Sequence, residues 1–184
     1  MKISARIFQA AAFILAISCS TSCMKEKLET TYNKQEDQIS KYIDSALSRD
    51  ESFSATRNNG SNRLTKVQGE GEALEADGTV TFYYAGYIFN GNVTASNLFA
   101  TNHEISAAEA NWTITDGEFE PLTLNLKDNK LLPGLKDGLK GVKGGEECEI
   151  IFSGKYGFGN KTFGIIPANS ALLYKIWVIS VSND

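Results

Sequence analysis

The chain has 184 residues, with 18 Lys and Arg against 22 Asp and Glu, a single histidine and a formal net charge of −4. No basic block or arginine-rich stripe interrupts it, which argues against nucleic acid as a partner. His103 is the lone histidine and the three cysteines have no metal-ligand spacing, so a zinc site, a Ser-His-Asp relay and any cofactor are not expected.

Lys2 and Arg6 form a short positive segment, followed by an apolar run from Ile7 to Ile17 broken only by Gln9. That run is about half the ~20 residues needed to span a bilayer, and it has the length of a secretory h-region. It leads into Ser18-Cys19-Ser20-Thr21-Ser22-Cys23. A cysteine behind a small residue at this place resembles a bacterial lipoprotein processing site, in which the cysteine becomes the acylated first residue. The resemblance implies a signal peptide over 1–22 and lipidation at Cys23. It places the protein in the cell envelope of a Gram-negative bacterium, on the periplasmic or surface face, touching the membrane through its lipid only. Cys19 competes with Cys23, and neither has the preferred Leu three residues upstream; cutting at Cys23 leaves no stray thiol near the new terminus. An ordinary secretory signal with incidental cysteines is the alternative. Removing Lys2 and Arg6 carries the net charge from −4 to −6.

Residues 23–62 read as a polar tether. Within it Tyr32, Glu36, Ile39, Tyr42, Ile43, Ala46 and Leu47 recur at three- and four-residue spacing, which predicts a short helix over about 31–48 with one thin apolar stripe. Such a helix can dimerise, pack on the domain, or space the domain from the membrane; the spacer is the simplest of the three. Ser48 to Asn62 is rich in Ser, Asn and charge and ends in Asn58-Asn59-Gly60-Ser61-Asn62, a composition that predicts a flexible linker.

From Arg63 to the C-terminus the pattern is one of short strands in a single domain, 63–184. Arg63 to Val67 is a first strand, ending at Gly69-Glu70-Gly71. Val80, Phe82 and Tyr84 fall on one face of the next. Leu122, Leu124 and Leu126 alternate with polar residues, and Cys148, Ile150 and Phe152 oppose Glu147 and Glu149. Cys148 is accordingly a small buried hydrophobe. The last strand spans Ala171 to Val181, with Leu172, Tyr174, Ile176 and Val178 inward. One helix fits, around Gly134 to Val142, carried by Leu135, Leu139 and Val142; Gly138 and Gly141 weaken it, so packing must hold it. Antiparallel strands with one short helix predict an α+β domain.

The order of motifs resembles the FKBP-type peptidyl-prolyl isomerases. The carriers are Gly78 to Gly86, Pro121 to Leu126, Leu131-Leu132-Pro133-Gly134-Leu135, Val142-Lys143-Gly144-Gly145-Glu146, Tyr156-Gly157-Phe158-Gly159, and Ile165-Ile166-Pro167-Ala168-Asn169-Ser170-Ala171-Leu172. Each is weak alone, and together in this order they cover about Arg63 to Asn183. The resemblance implies a twisted antiparallel sheet wrapped on one helix and an activity on proline-containing segments of exported proteins. It implies an apolar cavity floored by Leu135 and walled by Tyr84, Leu122, Leu124, Leu131, Leu132, Ile166 and Tyr174, with Phe158 over one side and Ile165 beside it. The Ile166 N–H would hold the substrate carbonyl.

Two departures fall in that cavity. The family's pocket Phe-Asp pair has its best counterpart in Phe99-Ala100, or in a rival register in Val93-Thr94; neither supplies a carboxylate. The family's ligand-bonding tyrosine is Phe158. Reduced isomerase activity is therefore expected, and a non-catalytic module that binds proline-containing or apolar segments is the alternative. The stretch from His103 to Glu120, which contains Trp112, is longer than in the minimal domain and is expected to be a surface elaboration rather than a cover for the cavity.

Overall fold

The computed structural model describes residues 4–113, 119–128 and 130–184, with side chains from residue 24 onward. Two compact units divide the chain, residues 1–34 and 35–184. The first consists of the N-terminal part of helix α1, Ser4–Arg49. The short helix expected at 31–48 is thus the end of a much longer one. Cys19 and Cys23, the candidate lipidation sites, lie outside the described side chains.

Among the described residues of the second unit seven strands form one antiparallel sheet: β1 Ser54–Asn58, β2 Ser61–Val67, β3 Thr79–Phe89, β4 Leu98–Thr101, β5 Leu122–Asn125, β6 Glu147–Phe152 and β7 Ala171–Ser182. Their order is β1-β2-β6-β7-β3-β4, and β5 also pairs with β3. β3 holds β7 along one edge; on its other edge β5 pairs with Thr79–Phe82 and β4 with Ala85–Tyr87. Helix α2, Glu104–Glu109, lies in the connection between β4 and β5.

Helix α3, Pro133–Leu139, crosses the sheet with Pro133 in its first turn, where a missing N–H costs nothing. Gly134 and Gly138 face β6 so closely that a Cβ at either would overlap Phe152 or Ile150. These glycines weaken the helix in isolation yet let it sit directly on the strand. Leu135, Leu139 and Val142 join Val80, Phe82, Ile150, Phe152, Leu172 and Ile176 in the core of this face. Arg63 of β2 holds the end of α3, donating from Nη1 to Gly138 O at 3.1 Å and Lys140 O at 2.7 Å. Its Nε lies 3.3 Å from Glu146 Oε1, an ion pair off the line of a hydrogen bond.

The opposite face of the sheet is covered too. Ile39, Ile43 and Ala46 of α1 are buried against Leu64, Ala85, Tyr87, Phe89, Ile151 and Leu173. Tyr42 donates to Glu149 Oε2 at 2.8 Å. The end of α1 is therefore packed on the domain, not a spacer, because the stripe at three- and four-residue spacing has an apolar sheet face to bury against. The flexible linker expected over 48–62 is likewise corrected. Ser54–Asn58 pairs with Ser61–Thr65 around the two-residue turn Asn59-Gly60, both at positive φ (48° and 82°). Asn-Gly is the favoured pair for such a hairpin, since few other residues tolerate that backbone. β1 is a solvated edge strand, which is why its composition reads as linker.

Candidate functional site: an apolar cavity between sheet and helix

Tyr84 follows Phe82 by two residues on β3, so both side chains emerge on the α3 face of the sheet, as do Leu122 and Leu124 of β5 and Tyr174 of β7. Between them and α3 opens a cavity of about 600 Å³, within the size range of ligand pockets. Its walls are Phe82, Tyr84, Phe99, Ala100, Trp112, Leu122, Leu124, Leu131, Leu135, Phe158, Phe163, Gly164, Ile165, Ile166 and Tyr174. None carries a charge. The side-chain polar atoms are the hydroxyls of Tyr84 and Tyr174 and the indole N–H of Trp112.

The aromatic rings interlock. Tyr174 meets Phe99 edge-on at 5.7 Å, Tyr84 at 6.4 Å, and stacks on Phe152 at 6.0 Å. Phe99 can approach Tyr174 because Gly86 lies beneath both; a Cβ there would come 2.7 Å from Phe99 Cζ. Across the mouth Phe158 and Phe163 stack at 4.7 Å with rings 5° from parallel. Burial raises the pKa of Tyr84 and Tyr174 above the ordinary tyrosine value, Tyr174 the more strongly and with a smaller contribution from neighbouring Tyr84. Both therefore stay neutral O–H donors at physiological pH, and among the described residues neither hydroxyl has a hydrogen-bond partner. No three His, Cys, Asp or Glu side chains among the described residues gather where they would hold a metal ion.

Of the expected wall residues, Tyr84, Phe99, Leu122, Leu124, Leu131, Leu135, Phe158, Ile165, Ile166 and Tyr174 come together on the cavity. Leu132 does not line it; as the residue capping α3 it packs half-buried against the core. Of the two registers, Phe99-Ala100 reaches the cavity, whereas Val93 packs on the opposite face. Three further outcomes differ from expectation. Phe82 also contributes, and its place on the Val80-Phe82-Tyr84 face was the signal for it. Trp112, expected on a surface elaboration, lines the cavity: its backbone N–H is held by Ala107 O at 3.0 Å, just past α2. Residues 114–118 of that stretch lie outside the described residues.

The Ile166 N–H, expected to hold a substrate carbonyl, is the third difference: it is bonded within its own loop. It donates to Phe163 O at 2.9 Å, and Phe163 N–H returns a bond to Ile166 O at 3.0 Å. The two-residue turn Gly164-Ile165 closes this miniature hairpin, burying Ile166 and pushing the side chains of Phe163 and Ile165 out at the rim, 62 % and 66 % exposed. On the other side Asn102 steadies the wall. Its Oδ1 accepts from Tyr84 N–H at 2.6 Å and its Nδ2 donates to Glu120 O at 2.9 Å, tying β3 to the segment that enters β5.

A twisted antiparallel sheet folded over one short helix, with an apolar hollow between them, is an FKBP-like fold. The profile of the FKBP-type peptidyl-prolyl cis-trans isomerases matches residues 70–179, and the chain belongs to that family. It is 29% identical over 120 residues to the FKBP-type peptidyl-prolyl cis-trans isomerase FkpA of Buchnera aphidicola, covering 65% of this chain and 42% of that protein. FK506-binding protein 1 of Aspergillus oryzae is 23% identical over 123 residues, covering 67% of this chain and 99% of that one. Among solved structures, FkpA from Escherichia coli superposes with a TM-score of 0.55 at 20% identity, covering 98% of this chain and 74% of that one. The match thus spans under half the length of the Buchnera relative and nearly all of the fungal one.

Proposed function

We propose that this chain is a peptidyl-prolyl cis-trans isomerase acting on proline-containing segments of exported proteins. The supporting observation is the cavity itself: a hollow of about 600 Å³ with no charged side chain among the described residues of its walls. Rotation about a peptide C–N bond passes through a twisted amide at ~18–20 kcal/mol, and X–Pro exchange takes tens to hundreds of seconds unaided. The twisted amide has lost resonance and is less polar than the planar one. An apolar wall of Leu122, Leu124, Leu135 and Phe99, from which a bound proline displaces water, therefore favours it over the ground state, and differential binding does the chemistry without acid, base or metal. With the Ile166 N–H committed to Phe163, the side-chain donors that a substrate carbonyl meets on the described walls are the Tyr84 and Tyr174 hydroxyls and the Trp112 indole N–H.

A binding module without turnover is the second reading, favoured by Ala100 and Phe158. Both stand on the cavity wall, where the family has a carboxylate and a hydroxyl. Losing one such hydrogen bond costs about 1–3 kcal/mol, or roughly one to two decades of rate, so reduced activity fits the first reading and its absence the second. A protease-coupled proline-peptide assay on the intact chain separates them. Turnover that disappears in Leu122→Arg, whose half-exposed position tolerates the larger side chain, supports the isomerase; suppressed aggregation of an unfolded client with no turnover supports the module. Leu135→Arg is a second cavity-filling variant, read only if it remains folded.

The chain is also read as an exported lipoprotein held at the cell envelope through Cys23, on the strength of the Lys2–Ile17 pattern and the small-residue stretch behind it. Incorporation of labelled fatty acid that survives Cys19→Ala and is lost in Cys23→Ala supports this; incorporation in neither, or a reversed pattern, contradicts it.

A further inference from the structure

We propose that Gln35 is a positioning residue for the cavity: its side-chain amide ties helix α1 to the two loops that present Phe158, Ile165 and Ile166. Gln35 lies one helical turn before Ile39, half-buried at the head of the stripe that packs on the sheet. Its Oε1 accepts from the Gly154 N–H at 2.9 Å, and its Nε2 donates to Asn169 O at 2.7 Å. Gly154 opens the short 3₁₀ turn Gly154–Tyr156 that leads to Phe158, and Asn169 closes the loop that carries Ile165-Ile166-Pro167.

The same two loops are joined directly. Asn169 N–H donates to Gly159 O at 2.6 Å, and Gly159 N–H donates to Gly154 O at 3.0 Å. Gln35, Gly154, Gly159 and Asn169 therefore complete a ring of hydrogen bonds, with Phe158 held inside the Gly154–Gly159 turn. The carboxamide accepts at one end and donates at the other; a carboxylate keeps the bond to Gly154 and loses the one to Asn169. Gln35 is absent from the cavity walls, so its action is on the loops and not on the substrate.

The role in catalysis rests on the isomerase reading, so the test has an arm that does not. In the intact chain, amide hydrogen exchange and steady-state isomerisation are compared for wild type, Gln35→Ala and Gln35→Glu. The Gly154, Gly159 and Asn169 amides are expected to exchange roughly three- to tenfold faster in Gln35→Ala, with Ile150 and Leu173 unchanged. KM should rise by a similar factor with kcat retained, because the loops contribute binding rather than the barrier-lowering wall, and Gln35→Glu should fall between. Loop amides that do not change, or a uniform acceleration across the whole sheet, would overturn the proposal. If the wild type does not turn over, the isomerase reading fails while the exchange pattern still decides whether Gln35 holds the loops.

Discussion

The Ile166 N–H and the Phe163 carbonyl are hydrogen-bonded at 2.9 Å, so the amide that family resemblance assigns to the substrate is already occupied within its own hairpin. The donors left facing the cavity from the sheet are the hydroxyls of Tyr84 and Tyr174. Tyr84→Phe and Tyr174→Phe should each lower kcat/KM roughly three- to fifteenfold, the worth of about one hydrogen bond, with little change in thermal stability. Unaltered kinetics in both variants would mean that apolar enclosure alone accounts for the rate.

Gly134 and Gly138 test the packing of α3. Alanine at either raises helix propensity by about 1 kcal/mol, yet its Cβ would overlap Phe152 or Ile150. Overpacking of that kind costs about 1–3 kcal/mol, and the overlap is severe, so both variants should unfold at lower urea concentration than wild type. A stabilised Gly138→Ala would mean that α3 lies further from β6.

His103 stacks on Trp177 at 3.8 Å and 12°, with its Nδ1 3.0 Å from Ser106 Oγ. Burial lowers its pKa below the ordinary 6.5, partly offset by Glu109 and Glu147 and reinforced by Lys175. A base with a depressed folded-state pKa binds fewer protons folded than unfolded just below 6.5. Its contribution is thus complete above pH 6.5 and is lost as pH falls through the window beneath it. In a Trp112→Phe background, Trp177 fluorescence should titrate with a midpoint below 6.5, and His103→Gln should abolish that titration.

Much of this arrangement is legible in the sequence because it follows period-two alternation. Val80-Phe82-Tyr84, Leu122-Leu124 and Leu172-Tyr174-Ile176 mark the strands and the face on which the cavity opens. The covered second face is written in the same strands, as consecutive apolar pairs such as Ile150-Ile151 and Leu172-Leu173, the pattern of strands buried on both sides. Those pairs, together with the Ile39-Ile43-Ala46 stripe, are the signal that α1 docks. β1 is hidden by composition, since an exposed edge strand is as polar as a linker; its one local mark is Asn59-Gly60. The engagement of the Ile166 N–H and the entry of Trp112 into the cavity depend on how distant segments meet, and no spacing encodes either.

Trp112 stands at the cavity mouth, 39 % exposed, whereas Trp177 is stacked away from it. Saturating a proline-containing peptide should shift Trp112 emission to the blue as the ligand displaces water from the indole. Trp112→Phe should remove the shift, and Trp112→Ala should weaken binding several-fold, the loss of about one aromatic contact. A shift that persists in Trp112→Phe would place the ligand elsewhere.

The most direct test of the cavity's role is the rate of cis-to-trans conversion of a short X–Pro peptide by the intact chain, beside that of Leu122→Arg. Acceleration over the uncatalysed reaction that vanishes in the folded Leu122→Arg variant is the predicted result. Equal rates in the two proteins would contradict it.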